Sequence, residues 1–148
     1  MCNIIIDKSK RNLLKGIFFF LTVFFLSNFI QADNSNKYIL DNPLAGSIYY
    51  TRLKPGRWKS ISDSHLPLIK RKQNYIEVST AHEVKGFEHY IIKHLVLDSK
   101  LRIISEKTFD PAKDAPLSRH NLSGYQGSIF ILSVCNLHDT WLTTFDIE

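Results

Sequence analysis

Short runs of β-branched and aromatic residues follow one another along most of the chain, and they constrain its fold more than any other feature. Prolines and glycines separate the runs, and no helical period occurs among them. Many short strands in residues 33–148 predict an all-β fold, a small antiparallel β-sandwich. A long polar loop is predicted for Asp110–Ser123. The candidate strands are Ser47–Tyr50, Asn74–Ser79, His89–Leu97, Leu101–Phe109, Gln126–Val134 and Thr140–Ile147.

The first 32 residues have the character of an export signal. Basic residues precede an apolar run at 16–26, and Gln31-Ala32 leads into a polar segment. This order predicts a hydrophobic signal peptide that is cleaved after Ala32, so the protein is expected to be periplasmic or otherwise exported. The alternative is a membrane anchor in which residues 13–30 span a bilayer, although a span usually takes about 20 apolar residues.

Downstream of the leader, we predict a flexible linker at residues 33–44 and one domain at residues 45–148. Residues 1–32 contain four of the 19 basic residues and one of the 14 acidic residues, so the remainder has a net charge of only +2. The basic character of the whole chain therefore belongs largely to the leader. It gives no indication of nucleic-acid binding.

Cys135 is the only cysteine after the leader, so residues 33–148 cannot form an internal disulfide. A lone thiol in an exported protein is expected to be buried, bonded to another chain or bound to a metal. His138 follows three residues later, and Asn136 favours a turn that returns the chain toward the cysteine. This spacing suggests that sulfur and imidazole share one metal ion.

Three histidines upstream have neighbours that fix their positions. His65 stands just before Leu66-Pro67. Leu66 precedes the proline and is therefore restricted to extended geometry, which fixes the course of the chain just after His65. His82 and His89 flank a loop containing Gly86, so the chain can fold His82 back toward His89. Each of these histidines, taken alone, is equally compatible with an exposed position.

One thiolate and four imidazoles would form a five-ligand metal site with one position open, an arrangement suited to redox chemistry. His94 and His120 lack comparable neighbours, and we predict that neither is a ligand. Ligand type alone leaves zinc and copper as alternatives to iron. A metal-free structural or binding sandwich is the further alternative.

Three ordered motifs resemble the superoxide reductases, the family of neelaredoxin and the desulfoferrodoxin iron domain. The motifs are Asp63–Pro67, His82–Ile91 and Cys135–Trp141, and residues 55–58 resemble the approach to the first histidine in neelaredoxin-type members. The resemblance covers residues 45–148. The chain has no Cys-x-x-Cys pair, so it resembles the single-domain type without a rubredoxin-like domain.

The resemblance implies an immunoglobulin-like β-sandwich of about seven strands. It also implies a mononuclear non-haem iron centre that reduces superoxide to hydrogen peroxide with electrons from a small donor protein. No nucleic-acid partner is implied, the membrane is reached only through the N-terminal segment, and a homo-oligomer is possible. The implied iron ligands are His65, His82, His89, Cys135 and His138.

The chain departs from the family at two catalytic positions. A Glu-Lys pair commonly precedes the first histidine, where the glutamate can bind iron and the lysine attracts superoxide; Asp63 and Ser64 occupy those positions here. Ser64 carries no charge, which favours the alternative of a non-catalytic iron-binding or electron-transfer module. Cations that could replace the lysine are Arg57, Lys59 and Lys70. Two further departures are Glu83 in place of a proline and Asp139 in place of a glycine.

Overall fold

The computed structural model describes residues 37–148, which form a sandwich of two β-sheets. The predicted signal or anchor at residues 1–32 lies outside the described residues. A 3-10 helix (Gly56–Ile61) and a one-turn helix, α1 (Ser62–His65), connect the first two strands. The strands are β1 (Tyr49–Tyr50), β2 (Pro67–Arg71), β3 (Tyr75–Thr80), β4 (Ile91–Leu97), β5 (Ile103–Thr108), β6 (Leu117–Asn121), β7 (Gly127–Cys135) and β8 (Thr140–Ile147).

One sheet has five strands in the order β1-β8-β7-β4-β5, and the other has three in the order β2-β3-β6. Every pairing is antiparallel except the short parallel contact of β1 with β8. The predicted all-β sandwich is therefore confirmed, with eight strands in the described residues instead of about seven.

Aliphatic side chains from both sheets fill the space between them. β3 alternates half-buried and buried residues along its length, as expected for a strand with one face on a core. β7 is the central strand of the larger sheet and is buried on both faces over most of its length. The buried core residues between the sheets are Ile76, Val78, Val96, Ile129, Ile131 and Ile147.

The outer face of the larger sheet is covered by the segment that precedes β1. Residues 37–41, which the sequence places in a linker, are helical, and Ile39 packs against Phe130 and Leu142. Tyr49 donates its hydroxyl hydrogen to the carbonyl of Ile39 and so ties the segment to the sheet. No helix within residues 37–148 is long and apolar enough to cross a membrane.

The strand patterns in the sequence locate six of the eight strands but miss β2 and β6. β6 lies inside the segment predicted as a polar loop, Asp110–Ser123. Its inward residues are Ser118 and His120, so the strand has no apolar alternation that would reveal it. The loop prediction is wrong for this part of the segment.

These inward polar residues belong to a buried chain of hydrogen bonds between the sheets. The successive donor–acceptor distances are 2.7, 2.8, 2.7, 2.9 and 2.9 Å. The chain begins at a half-buried serine on β5 and ends on the central strand β7. Its members, in order, are Ser105, His120, Ser118, His94, Thr80 and Ser133.

One assignment of hydrogens satisfies every link of this chain. Each hydroxyl donates to the next member, and each imidazole donates from Nε2 and accepts at Nδ1, so both histidines are neutral. Burial lowers the pKa of His94 to about 3 and also lowers the pKa of His120. His94 and His120, predicted as non-ligands, therefore have a structural role in the core.

The buried His94 should make the protein sensitive to acid. Its pKa is about 3 in the folded chain against an ordinary 6.5, so between these values the unfolded chain binds a proton that the folded chain does not. The free energy of unfolding should therefore fall as the pH is lowered through this range. Urea unfolding at several pH values should give a slope that is smaller in His94→Gln by up to about 1.4 kcal/mol per pH unit. An unchanged slope would contradict this assignment.

Candidate metal centre

The five side chains predicted as ligands meet at one end of the sandwich. One donor atom from each lies within 4.8 Å of every other, and His65, His82 and Cys135 are buried while His89 and His138 are half-buried. They come from separate places in the fold: the end of α1, the segment after β3, the segment before β4, the end of β7 and the β7–β8 loop. The group therefore depends on both sheets.

The ring nitrogens are spaced like neighbouring ligands of one ion. His82 Nε2 and His89 Nε2 are 2.9 Å apart, His89 Nε2 and His138 Nδ1 are 2.9 Å apart, and His65 Nε2 and His138 Nδ1 are 3.0 Å apart. Two nitrogens at right angles and each about 2.1 Å from a metal ion are separated by about 3.0 Å. Cys135 Sγ lies 3.7 Å from both His82 Nε2 and His138 Nδ1.

Hydrogen bonds alone do not account for this convergence. Nδ1 of His65 lies 3.0 Å from the carbonyl oxygen of Ile61, so it carries the proton and leaves a lone pair on Nε2. The single ring nitrogen of His138 that faces the group cannot donate to both His65 and His89. At least one of these close contacts between ring nitrogens therefore lacks a bridging proton, an arrangement that a cation between them stabilises.

Burial keeps the clustered imidazoles neutral. Burial, with a smaller contribution from neighbouring histidines, lowers the pKa of His65 and of His82 to about 4. Burial is also the main cause of the lowered pKa of His89, followed by the charge of His138. Neutral imidazole is the form that binds metals, so the group is ready to do so at neutral pH.

Burial and hydrogen bonding act in opposite directions on the pKa of the Cys135 thiol. Burial raises its pKa, while the backbone N–H groups of Leu137 and His138 hydrogen-bond to the sulfur and lower it. These N–H groups belong to the Cys-x-x-His turn, and they stabilise the thiolate that a metal requires. The donor set of four imidazoles and one thiolate suits iron, copper or zinc.

Asn136 fastens the turn to the segment that carries His89. Its side-chain NH₂ donates to the carbonyl of Glu88 at 2.9 Å, and its Oδ1 accepts from the backbone N–H of Tyr90 at 2.9 Å. Its own backbone N–H donates to the carbonyl of Tyr90 at 3.2 Å. The sequence identified Asn136 only as a turn former, and this bridging role was missed.

Asp139 fastens the same turn to the 3-10 helix. Its carboxylate accepts from Trp58 Nε1 at 2.8 Å and from Arg57 at 2.6 Å, and these bonds lower the pKa of the carboxyl group. The Trp58 ring lies edge-on to the ring of His138 with centroids 4.7 Å apart. Asp139 has a φ of 63°, a left-handed conformation that aspartate tolerates better than most residues. The replacement of glycine by Asp139 is visible in the sequence, whereas its contacts with Trp58 and Arg57 are not.

The two predicted catalytic residues lie beside His65 and face different ways. Asp63 has a side chain that is 88% exposed, and it pairs with Arg52 at 3.0 Å. The Ser64 hydroxyl donates to the Ile61 carbonyl at 2.9 Å and lies 2.9 Å from His65 Nδ1. Ser64 therefore helps to orient the His65 ring, whereas the Asp63 carboxylate is engaged at the surface.

No protein-family model matches the sequence, and no curated protein matches it. Solved structures do match. The superoxide reductase (neelaredoxin) from Ignicoccus hospitalis is 21% identical with a TM-score of 0.58, over 70% of this chain and 96% of that chain. The superoxide reductase from Treponema pallidum is 21% identical with a TM-score of 0.50, over 57% of this chain and 69% of that chain.

The superoxide reductase from Nanoarchaeum equitans is 16% identical with a TM-score of 0.50, over 57% of this chain and 94% of that chain. The chain has the superoxide reductase fold. The fold implied by the resemblance of the three short motifs is thereby confirmed. The five clustered side chains of this fold form a candidate metal site.

Replacing Asp139 should reveal the combined contribution of its hydrogen bonds and its backbone conformation to stability. Asp139→Ala removes the acceptor for Trp58 and places a less tolerant residue at positive φ, so the free energy of unfolding should fall by about 2 kcal/mol. Asp139→Asn keeps an oxygen acceptor and tolerates that φ, so the loss should stay below about 1 kcal/mol. Chemical denaturation measures both. Equal losses would contradict a role for the Trp58–Asp139 bond.

Proposed function

We propose that this protein binds iron through His65, His82, His89, Cys135 and His138 and reduces superoxide to hydrogen peroxide. The observation that carries the proposal is the convergence of four imidazole nitrogens and one sulfur within 4.8 Å. Five donors leave a sixth position of an octahedral ion for a small ligand. The superoxide reductases with the same fold add support.

Bound ferrous iron would supply one electron to superoxide, which takes up two protons and leaves as hydrogen peroxide, and an external donor would return the electron. The Cys135 thiolate would make iron a better donor by adding electron density, as thiolate ligands do in haem proteins. The chain's own part is to keep His65, His82 and His89 neutral and the sulfur buried.

Solvent reaches the site from the side of His89 and His138, which are half-buried, whereas His65, His82 and Cys135 are buried. A small anion would therefore enter on that side. Lys85 is close enough to His89 to lower its pKa, and its backbone pairs with His89, but its ammonium group is paired with Glu83 at 3.4 Å. Arg57 stacks on Trp58 beside His138 and is paired with Asp139, so both cations near this entrance are partly neutralised by carboxylates.

A non-catalytic electron-transfer module is the second candidate. The observation that favours it is the engagement of Asp63 with Arg52 at the surface, together with the uncharged Ser64. Rapid mixing of the reduced protein with superoxide separates the two candidates. Oxidation at more than about 10⁵ M⁻¹s⁻¹ would support the enzyme, because that rate lies well inside the range of about 10⁴–10⁸ M⁻¹s⁻¹ for catalytic efficiencies, and oxidation slower than about 10⁴ M⁻¹s⁻¹ would favour the module.

The compartment and the electron source complete the proposal. We place the protein outside the cytoplasm because residues 1–32 have the order of charge and apolar residues found in export signals. Its electrons would come from a small redox protein. Reduction of the iron-loaded protein by candidate donors, followed through its visible colour, is the measurement that would identify the donor.

Removing the sulfur ligand should abolish the colour of the oxidised protein. The iron-loaded chain should have a red-region band from sulfur-to-ferric charge transfer that bleaches on reduction, and Cys135→Ser should lack it while its circular dichroism stays that of a β-sandwich. In the uncleaved chain, Cys2→Ser is the matched control, since it removes the other cysteine. A band that persists in Cys135→Ser would exclude Cys135 as a ligand.

Adding a positive charge at position 64 should speed the reaction. Ser64→Lys should raise the second-order rate of oxidation by superoxide several-fold, because a cation near the site attracts the anion. Ser64→Met has a side chain of similar length without charge and loses the same hydroxyl contacts, so it should give no increase. The increase should shrink at high salt. Equal rates for both variants would mean that charge at this position is not limiting.

A further inference from the structure

Two contacts lie side by side where the sheets approach each other at the candidate metal centre. Thr80, at the end of β3, donates its hydroxyl hydrogen to Ser133 on β7 at 2.9 Å. Two residues further along each chain segment, His82 Nε2 lies 3.7 Å from Cys135 Sγ. The first contact joins the smaller sheet to the larger one, and the second joins two candidate ligands.

Strand alternation links these contacts. Residues two apart on a strand point to the same face, so the geometry that aims Ser133 at Thr80 also aims Cys135 toward His82. Burial follows this pattern: Thr80 and His82 are buried while Ala81 between them is exposed. A change in the distance between Thr80 and Ser133 would therefore also change the distance between His82 and Cys135.

His94 brings a third strand to the same hydroxyl. It pairs with Ser133 in the register of β4 and β7, and its Nε2 donates to Thr80 Oγ1 at 2.9 Å. The strand that carries His94, β4, begins two residues after His89. The Thr80 hydroxyl thus joins the three strands that lead to His82, His89 and Cys135.

We propose that Thr80 is a positioning residue for the metal centre. Its hydroxyl, through Ser133 and His94, fixes the distance between the sheets at which His82, His89 and Cys135 can bind one ion. This inference rests on the proposed function, because it requires that these side chains bind a metal. By this proposal Thr80, a core residue outside the ligand motifs, contributes to metal affinity.

The physical reason is the difference in tolerance between the two kinds of contact. Apolar packing between sheets is non-directional and allows small displacements, whereas a hydrogen bond fixes its donor–acceptor distance within a few tenths of an ångström. Metal–ligand distances are restricted to about 0.2 Å. A buried hydrogen bond one rung from the ligands meets this requirement, and aliphatic packing at the same place would not.

The role in positioning differs from a role in stability alone, and the chain offers a matched control. Ser118 belongs to the same buried network and is 4% exposed, as is Thr80, but it lies on β6, which carries no candidate ligand. Its loss breaks the link between His94 and His120 and leaves the Thr80 contacts with His94 and Ser133 in place.

The experiment compares Thr80→Val, Thr80→Ser and Ser118→Ala in the full chain. Valine has the shape of threonine without the hydroxyl, and serine restores the hydroxyl. Each metal-free protein is titrated with Fe²⁺ under anaerobic conditions, and the visible band is recorded after oxidation. Melting temperatures are measured without metal, so that the effect on stability is known separately.

We expect both Thr80→Val and Ser118→Ala to melt at lower temperatures than the original chain, because each leaves buried polar partners without a bond. Only Thr80→Val should also lose iron affinity, by about tenfold, the lower end of the range for residues that orient metal ligands. Its charge-transfer band should shift or broaden. Thr80→Ser should recover both the affinity and the band.

Thr80→Val with unchanged affinity and band would overturn the proposal, as would equal affinity losses in Thr80→Val and Ser118→Ala. Failure of Thr80→Ser to recover would do the same, because the hydroxyl would not be the active group. Failure of the proposed function has a different signature. The unaltered chain would then bind no iron and show no band, and both proposals would fall together.

Discussion

Four imidazoles and a buried thiol face one another at the end of this sandwich, and the rest of the structure must accommodate that concentration of lone pairs. Ring nitrogens 2.9–3.0 Å apart without enough protons to bridge them repel one another. Burial strengthens the repulsion by reducing screening by solvent, and it opposes relief by protonation because it lowers the pKa of His65 and His82 to about 4. A metal cation resolves both difficulties at once. The fold therefore makes metal binding favourable by making the metal-free arrangement costly.

A sandwich can gather such a group because strand ends and loops from both sheets meet at one end of it. Loops alone, however, would not hold the side chains in fixed positions. Here each ligand-bearing segment is fastened to another. Asn136 joins the turn of Cys135 to the segment of His89, and Asp139 joins it to the 3-10 helix. The Ile61 carbonyl orients the ring of His65. Loss of a contact that orients a metal ligand typically lowers metal affinity by about 10- to 100-fold, so these bonds matter to the site as well as its five donors.

The sequence was sufficient to predict that five side chains form one cluster and to predict most of the sandwich. Cys135 and His138 were recognisable because a turn fixes their spacing, and the strand Thr140–Ile147 was recognisable because its residue types are typical of strands. β6 was not, because strand detection relies on apolar alternation and this strand buries Ser118 and His120. The contacts of Asp139 with Trp58 and Arg57 span about eighty positions of sequence, and no local pattern reports contacts at such a separation. Sequence motifs therefore identified the five side chains that cluster, and the structure was needed to find the groups that orient them.

The polar interior between β3, β4 and β6 also has a consequence for the sandwich. Aliphatic residues there would bury more apolar area, and a buried polar chain contributes less net stability than such packing. The chain from Ser105 to Ser133 has one arrangement in which every donor meets an acceptor, however, and a shift of either sheet would leave several of these groups without a bond. Aliphatic side chains impose no such penalty when one sheet shifts slightly over the other. A site assembled from both sheets needs one fixed position of the sheets relative to each other. A polar chain beside the candidate ligands fixes that position better than apolar packing would.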